Sequence, residues 1–212
     1  EMMIYPRVLA LAEVAWSAPS KKNYEDFHVR ALKAVEELKK SGYNPFELKN
    51  EIGNRPGADK PVEHLAVGKK VTYGLDAAYY PGYAAGGDTA LVDGVRGGWT
   101  YGDKRWQGFI DKKRMDITID LEKETELHFI GADFMQVCGP EVFMPAEVII
   151  SISDDGKDFT ELKHIEHKVV KDDKVTFTNF GWEGNAKGRY VRYQATSGEF
   201  GGFLFTDEVV IK

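Results

Sequence analysis

Two carboxylates stand side by side near the end of the chain, Asp207 and Glu208 in "FTDEVVIK". Paired acids are the usual equipment for cutting glycosidic bonds, one protonating the leaving oxygen while the other acts at the sugar. Position argues against that use here. The pair falls in a run that reads as a strand, where neighbouring side chains point to opposite faces and cannot converge on one bond without a bulge. A second acidic pair, Glu25 and Asp26, opens a helical pattern and suits the positive end of a helix. His64, His128, His164 and His167 lack the paired spacing of a transition-metal site, and His28 reads as a solvent-facing position on a helix. The single cysteine, Cys138, excludes an internal disulfide and a cysteine-based zinc site, and it reads as an inert thiol beside an apolar stretch.

Binding chemistry has better candidates. Sugar rings stack on exposed aromatic faces while polar groups bond their hydroxyls. The stretch "RGGWTYGDKRWQGF" sets Trp99, Tyr101, Arg105 and Trp106 among glycines that permit tight turns. "QVCGPEVF" adds Phe143 and "SGEFGG" adds Phe200, each in a loop that could flank the same end of a sandwich. Trp106 also reads as a core residue, and the exposure of Trp99 and Tyr101 stays open at this level.

The elements that must position these residues fall into two kinds. "PRVLALAEVAW" and "NYEDFHVRALKAVEELKKSG" carry apolar stripes near helical spacing, with Asn23 as N-cap and Gly42 closing the second helix. Two helices cannot bury both stripes alone, so they read as pieces of a larger body. "EIGNRPGADKPVE" has the composition of a linker. Beyond it, "RMDITIDLE", "ELHFIGADF", "AEVIISISDDGKDFTEL", "KVTFTNF", "GRYVRYQA" and "FTDEVVI" alternate apolar and polar residues, with Asp155-Gly156 as a turn. Several short strands with Gly and Asp turns predict an antiparallel β-sandwich or barrel. The boundaries expected are helices over 1–50, a linker over 51–66 and the β domain over 67–212.

Composition bounds the function. The 212 residues are 42% hydrophobic and 29% charged, an ordinary globular balance. A net charge of −6 argues against a general nucleic-acid or anionic-membrane surface, so no nucleic acid is expected as partner. No run approaches the roughly 20 apolar residues of a transmembrane segment. The chain opens inside a helical pattern, as an excised piece would, so the lack of a leader says little about location.

The β half resembles the discoidin, or coagulation factor 5/8 type C, family. The resemblance rests on "ALVDGVRGGW" (90–99), "WQGF" (106–109), "DITIDLEKETELHFIGADF" (116–134), "MPAEVIISISDDGKDF" (144–159), "GRYVRY" (188–193) and "TDEVVI" (206–211). It implies a jelly-roll-type β-sandwich, as in the carbohydrate-binding modules attached to bacterial glycoside hydrolases. It also implies a structural calcium, with Asp93 and Glu208 as ligands and Asp88 or Thr100 as further candidates. Val95-Arg96 stand where the pattern often has further ligands, so pairing of Glu208 with Arg96 or another cation stays open beside the ion.

The first 50 residues resemble the end of the catalytic TIM barrel of family 20 β-N-acetylhexosaminidases, through "MIYPRVLALAEVAWS" at 3–17. That resemblance implies that the helices are a barrel remnant and that the parent is a β-N-acetylhexosaminidase or chitobiase. In that family the catalytic Asp-Glu follows His-x-Gly-Gly, whereas "GFLFT" precedes Asp207 here. The expectation is therefore an inactive accessory portion of a glycosidase, binding N-acetylhexosamine glycans and packing on the barrel missing from this chain. Its parent would be periplasmic or extracellular. A module that only buttresses the barrel, or one that binds protein or lipid, are the other readings.

Overall fold

The computed structural model describes all residues except 1–3, 47, 49–54, 56, 59, 75–77, 111–114 and 173, so the expected linker lies partly outside the described residues. The chain divides into two compact units, Glu1–Arg55 and Pro56–Lys212. In the first, α1 (Arg7–Trp16) and α2 (Tyr24–Lys40) form as their stripes require. Asn23 caps α2 by accepting from the Asp26 N–H at 3.0 Å, and Glu25, Asp26 and the terminal Lys39, Lys40 complement the helix dipole. Arg30 of α2 forks onto both oxygens of Glu13 in α1 at 3.0 and 2.8 Å, and its Nε reaches Asp26. That fork holds the Glu13 carboxyl below its ordinary range. Only Ala31 and Val35 of α2 are buried, and no residue of α1 is.

The second unit is an antiparallel β-sandwich. Its strands are β1 (Lys70–Tyr73), β2 (Gln107–Ile110), β3 (Met115–Gln136), β4 (Pro145–Ser153), β5 (Thr160–Glu166), β6 (Thr176–Ser197) and β7 (Phe203–Ile211). They are joined in the order β2-β7-β3-β6-β4-β5, with β1 on β3. Two sequence runs expected as separate strands fuse into β3, and two more into β6; the β3 junction passes through Glu122 at φ +72, and the β6 junction keeps Gly181, Gly184 and Asn185 within the extended strand. β3 and β6 pair from end to end with two register breaks, between Asp120 and Thr125 and between Leu127 and Phe129. Before the first break β3 takes β1, beyond the second it takes β7, and the last part of β6 takes β4. The two long strands thus turn a corner and serve both layers.

Alternation decides which face is core. Met115, Ile117, Ile119 and Leu121 are buried, while Asp116 and Asp120 point outward and receive bidentate Arg192 and Arg189 from β6 at 2.6–2.8 Å. Each buried aliphatic side chain is worth about 1.5–3 kcal/mol, so this one strand contributes a large share of the driving force. Ser153 and Asp155 organise the β4–β5 turn, with Asp155 Oδ1 accepting from the N–H groups of Lys157 and Asp158.

Candidate binding site at the loop end of the sandwich

Strand β7 carries Asp207 and Glu208 side by side, and both are wholly buried. They serve the turn at residues 93–98. Asp207 Oδ2 accepts from the Gly97 N–H at 3.0 Å and its Oδ1 from the Glu208 N–H. Glu208 Oε1 accepts from the Gly94 N–H at 2.9 Å and from His64 Nε2 at 2.6 Å. The other ring nitrogen of His64 accepts from the N–H groups of Ala66 and Ile211, which leaves the proton on Nε2 and makes that nitrogen the donor. Burial pushes the Glu208 carboxyl up, while the His64 and Gly94 bonds pull it down. Neither acid meets solvent, and each already serves the backbone.

The braced turn delivers Gly97 onto Trp106. A Cβ at Gly97 would lie 2.2 Å from the indole, so only glycine permits the contact. Phe177 stacks against the indole at 5.7 Å, and the ring N–H donates to the Gly98 carbonyl. Trp106 is thus covered and offers no face to a ligand. Trp99, half-buried, meets the same Phe177 edge-on. Arg105 sends its guanidinium to the Ala58 carbonyl at 3.1 Å. Phe143 is buried against Phe200 at 5.4 Å, and the Lys171 ammonium lies 4.1 Å from the Phe200 ring centre.

Tyr101 occupies different ground. With Tyr83, Ala84, Ala85, Gly102 and Lys104 it surrounds a hollow of about 300 Å³ above Trp106. Its ring stacks on Phe205 at 4.9 Å and meets Tyr83 edge-on at 5.8 Å. Tyr83 in turn packs on Phe203 and Phe205. The close fit needs Gly108 on β2, where a Cβ would come within 3 Å of both Phe205 and Tyr83. The Ala84–Gly87 loop is held by Gln107, fully buried, whose amide donates to the carbonyls of Ala84 and Gly87 and whose Oε1 accepts from the Tyr73 hydroxyl. The Tyr80 N–H, donated to Gly108 O at 2.7 Å, ties the same loop to β2. Chemically this is a small aromatic-walled recess with polar rims.

The F5/8 type C domain model matches residues 76–209, well over half of the chain. The chain belongs to the F5/8 type C domain family. No curated protein matches it in sequence. Among solved structures, a Ruminococcus gnavus GH29 fucosidase mutant in complex with fucose aligns at 13% identity and TM-score 0.50, over 70% of this chain and 26% of that one. A Streptococcus pneumoniae fucose binding module, SpX-3, aligns at 18% identity and TM-score 0.48, over 71% and 98%. The Clostridium perfringens module CpGH89CBM32-5, in complex with GalNAc-β-1,3-galactose, aligns at 17% identity and TM-score 0.45, over 67% and 93%.

Within this F5/8 type C domain, Glu208 Oε1 and Asp93 Oδ1 each accept from backbone N–H groups of the 93–98 turn. Calcium takes six to eight oxygens. Here Asp93 is exposed and its Oδ1 already accepts from the Val95 N–H. The carbonyls of Val92, Gly94 and Gly98 accept from Gly68, Val62 and Trp106 respectively. Among the described residues no group of three His, Cys, Asp or Glu side chains could hold a metal ion. Glu208 Oε2 is buried without a hydrogen-bond partner, but it is one oxygen. Arg96, one of the cations left open as a partner of Glu208, pairs with Asp133, and His64 takes the Glu208 side.

Of the six residues proposed for sugar contact, then, the structure gathers Tyr101 over Trp106 at the hollow. Trp99 and Arg105 are turned to other partners, and Phe143 with Phe200 forms a separate pair. The hollow's other half was missed. "YYPGY" at 79–83 is an aromatic run in a Pro-Gly loop, the same signal that singled out "GGWTYG", and it supplies Tyr83.

Proposed function

We propose that the chain is the non-catalytic C-terminal accessory part of a family 20 β-N-acetylhexosaminidase, a chitobiase-like enzyme of the periplasm or extracellular space. Its sandwich binds N-acetylhexosamine-containing glycans in the hollow between Tyr83 and Tyr101. The observation that carries the reading is that recess itself, whose volume sits at the small end of ligand pockets and suits a single sugar residue. The barrel-like "PRVLALAEVAWS" and the exposed Leu11, Val14 and Trp16 that follow Pro6 support the parentage. The pair Asp207 and Glu208 hydrolyses nothing in this reading, because both side chains are buried and one oxygen of each serves the 93–98 turn.

Calorimetric titration with N-acetylglucosamine and N-acetylgalactosamine oligosaccharides tests it. Saturable binding with a Kd on the order of 1 mM is expected, as an open recess buries little of a sugar. Tyr101→Ala should weaken it several-fold while the protein still melts cooperatively, at a midpoint lowered by the lost contacts to Phe205 and Tyr83. Absence of binding by a folded protein would favour the second reading, a module that packs on the barrel. That reading has its own support, since Tyr83, Phe203 and Phe205 already bury much of their ring surface in one another. We assign the Glu208 brace to His64 in place of calcium. Equal melting in EDTA and in calcium is the expected result, and a calcium-dependent rise of several degrees would reinstate the ion.

A further inference from the structure

The residues lining the hollow carry charge of one sign only. Lys104 lines the recess and no carboxylate does. Its ammonium makes no ion pair among the described residues, whereas the neighbouring Asp103 has both oxygens committed, to the N–H groups of Gly98 at 2.6 Å and Arg105 at 2.9 Å. Arg105 is drawn off to Ala58. The rim therefore presents a single uncommitted cation beside two phenol rings.

Backbone conformation adds a second, independent observation. Lys104 closes the short 3-10 turn Tyr101–Asp103 at φ +67, the left-handed region that glycine fills without cost. The turn is otherwise glycine-rich, with Gly97, Gly98 and Gly102 close by. Glu122 and Glu141 also adopt this region, so the conformation bears only on where the Lys104 side chain starts, at the edge of the recess. The start of the turn is pinned by Thr100 Oγ1, which accepts from the Gly102 N–H at 3.2 Å, so the direction in which residue 104 leaves the backbone is set by the loop.

We propose that the hollow selects saccharides bearing an anionic substituent, a ring carboxylate or a sulfate ester, with Lys104 as the residue that recognises the charge. This rests on the sugar-binding reading above and narrows its ligand class. The aromatic walls hold the ring, and the ammonium forms a charge-assisted hydrogen bond to the anionic oxygen. Neutral hexosamines bind the same walls without that bond.

The test uses the full chain and matched sugars that differ by one charge: N-acetylglucosamine against its 6-sulfate, and glucose against glucuronate. The anionic member of at least one pair should bind about fivefold tighter, the scale of one solvent-exposed charged contact. Which pair shows the preference distinguishes sulfate from carboxylate. That preference should vanish in Lys104→Gln, persist in Lys104→Arg and shrink in about 0.5 M NaCl, where screening acts over a few ångströms. Equal affinity within both pairs would overturn the charge selection while leaving sugar binding standing. A preference that survives Lys104→Gln would overturn the role of Lys104. Failure of every sugar to bind a folded protein would overturn both readings together.

Discussion

Helix α1 and strand β7 are comparable in length and apolar content, yet they meet opposite fates. α1 buries none of its residues, and Trp16 at its end is 92% exposed. β7 buries every position from Leu204 to Ile211, including two acids. The difference is one of partners rather than pattern. β7 is hydrogen-bonded on both sides, by β2 and β3, and its acids find N–H and imidazole donors. An apolar stripe states that a face is to be covered; it does not state that the cover lies in the same unit.

The comparison can be broken most sharply at its buried side. Trp106→Ala should destabilise the sandwich by about 4 kcal/mol, since it empties a site packed on both ring faces. Chemical denaturation followed by far-UV circular dichroism reads this, and a loss below about 1 kcal/mol would show that the 93–106 turn is not seated as described. His64→Ala should cost about 3 kcal/mol by leaving Glu208 buried without its imidazole. Glu208→Gln keeps the shape and most of the hydrogen bonds, so a much smaller loss than for His64→Ala is expected in the same measurement.

Acid should act more gently, and on outward-facing groups. Arg189 holds the Asp120 carboxyl below its ordinary range, and backbone N–H groups do the same for Asp155. A carboxyl lowered in the folded state contributes stability above its unfolded pKa of about 4, and that contribution is lost as pH falls through the lowered folded value. Melting midpoints measured from pH 6 down to about pH 2 should therefore decline, and Asp120→Asn should flatten part of the decline. At the exposed side the effect should be smallest. Trp16→Ser should leave the sandwich transition within about 0.5 kcal/mol of the parent. A larger shift would mean that the two units are not energetically independent.

Much of the scaffold was legible because strands announce themselves by period. Met115, Ile117, Ile119 and Leu121 alternate with Asp116, Thr118 and Asp120, and the structure buries the first set and pairs the two acids of the second with arginines. The Asn23 cap and the Asp155-Gly156 turn are equally local and were equally readable. What escaped were the joins. Strand runs fused into β3 and β6 across junctions whose charged and glycine-containing sequences read locally as turns. His64 carries no spacing signal toward Glu208, which lies 144 positions away. Tyr83 and Tyr101 face one another only because β2 pairs with β7 and Gly108 lets both loops close over Phe205.

The sequence by itself determined which segments are extended, which face of each is apolar, and where glycine and proline permit the chain to turn, since those are properties of a few consecutive residues. Tertiary structure alone decided the use of each polar and aromatic side chain. It made structural braces of Asp207 and Glu208, closed Trp106 from solvent, and left Tyr101 and Lys104 at an open recess. The physical reason is that hydrogen-bond partners and accessible ring faces are supplied by residues far away in the chain, and only the folded geometry brings them within reach.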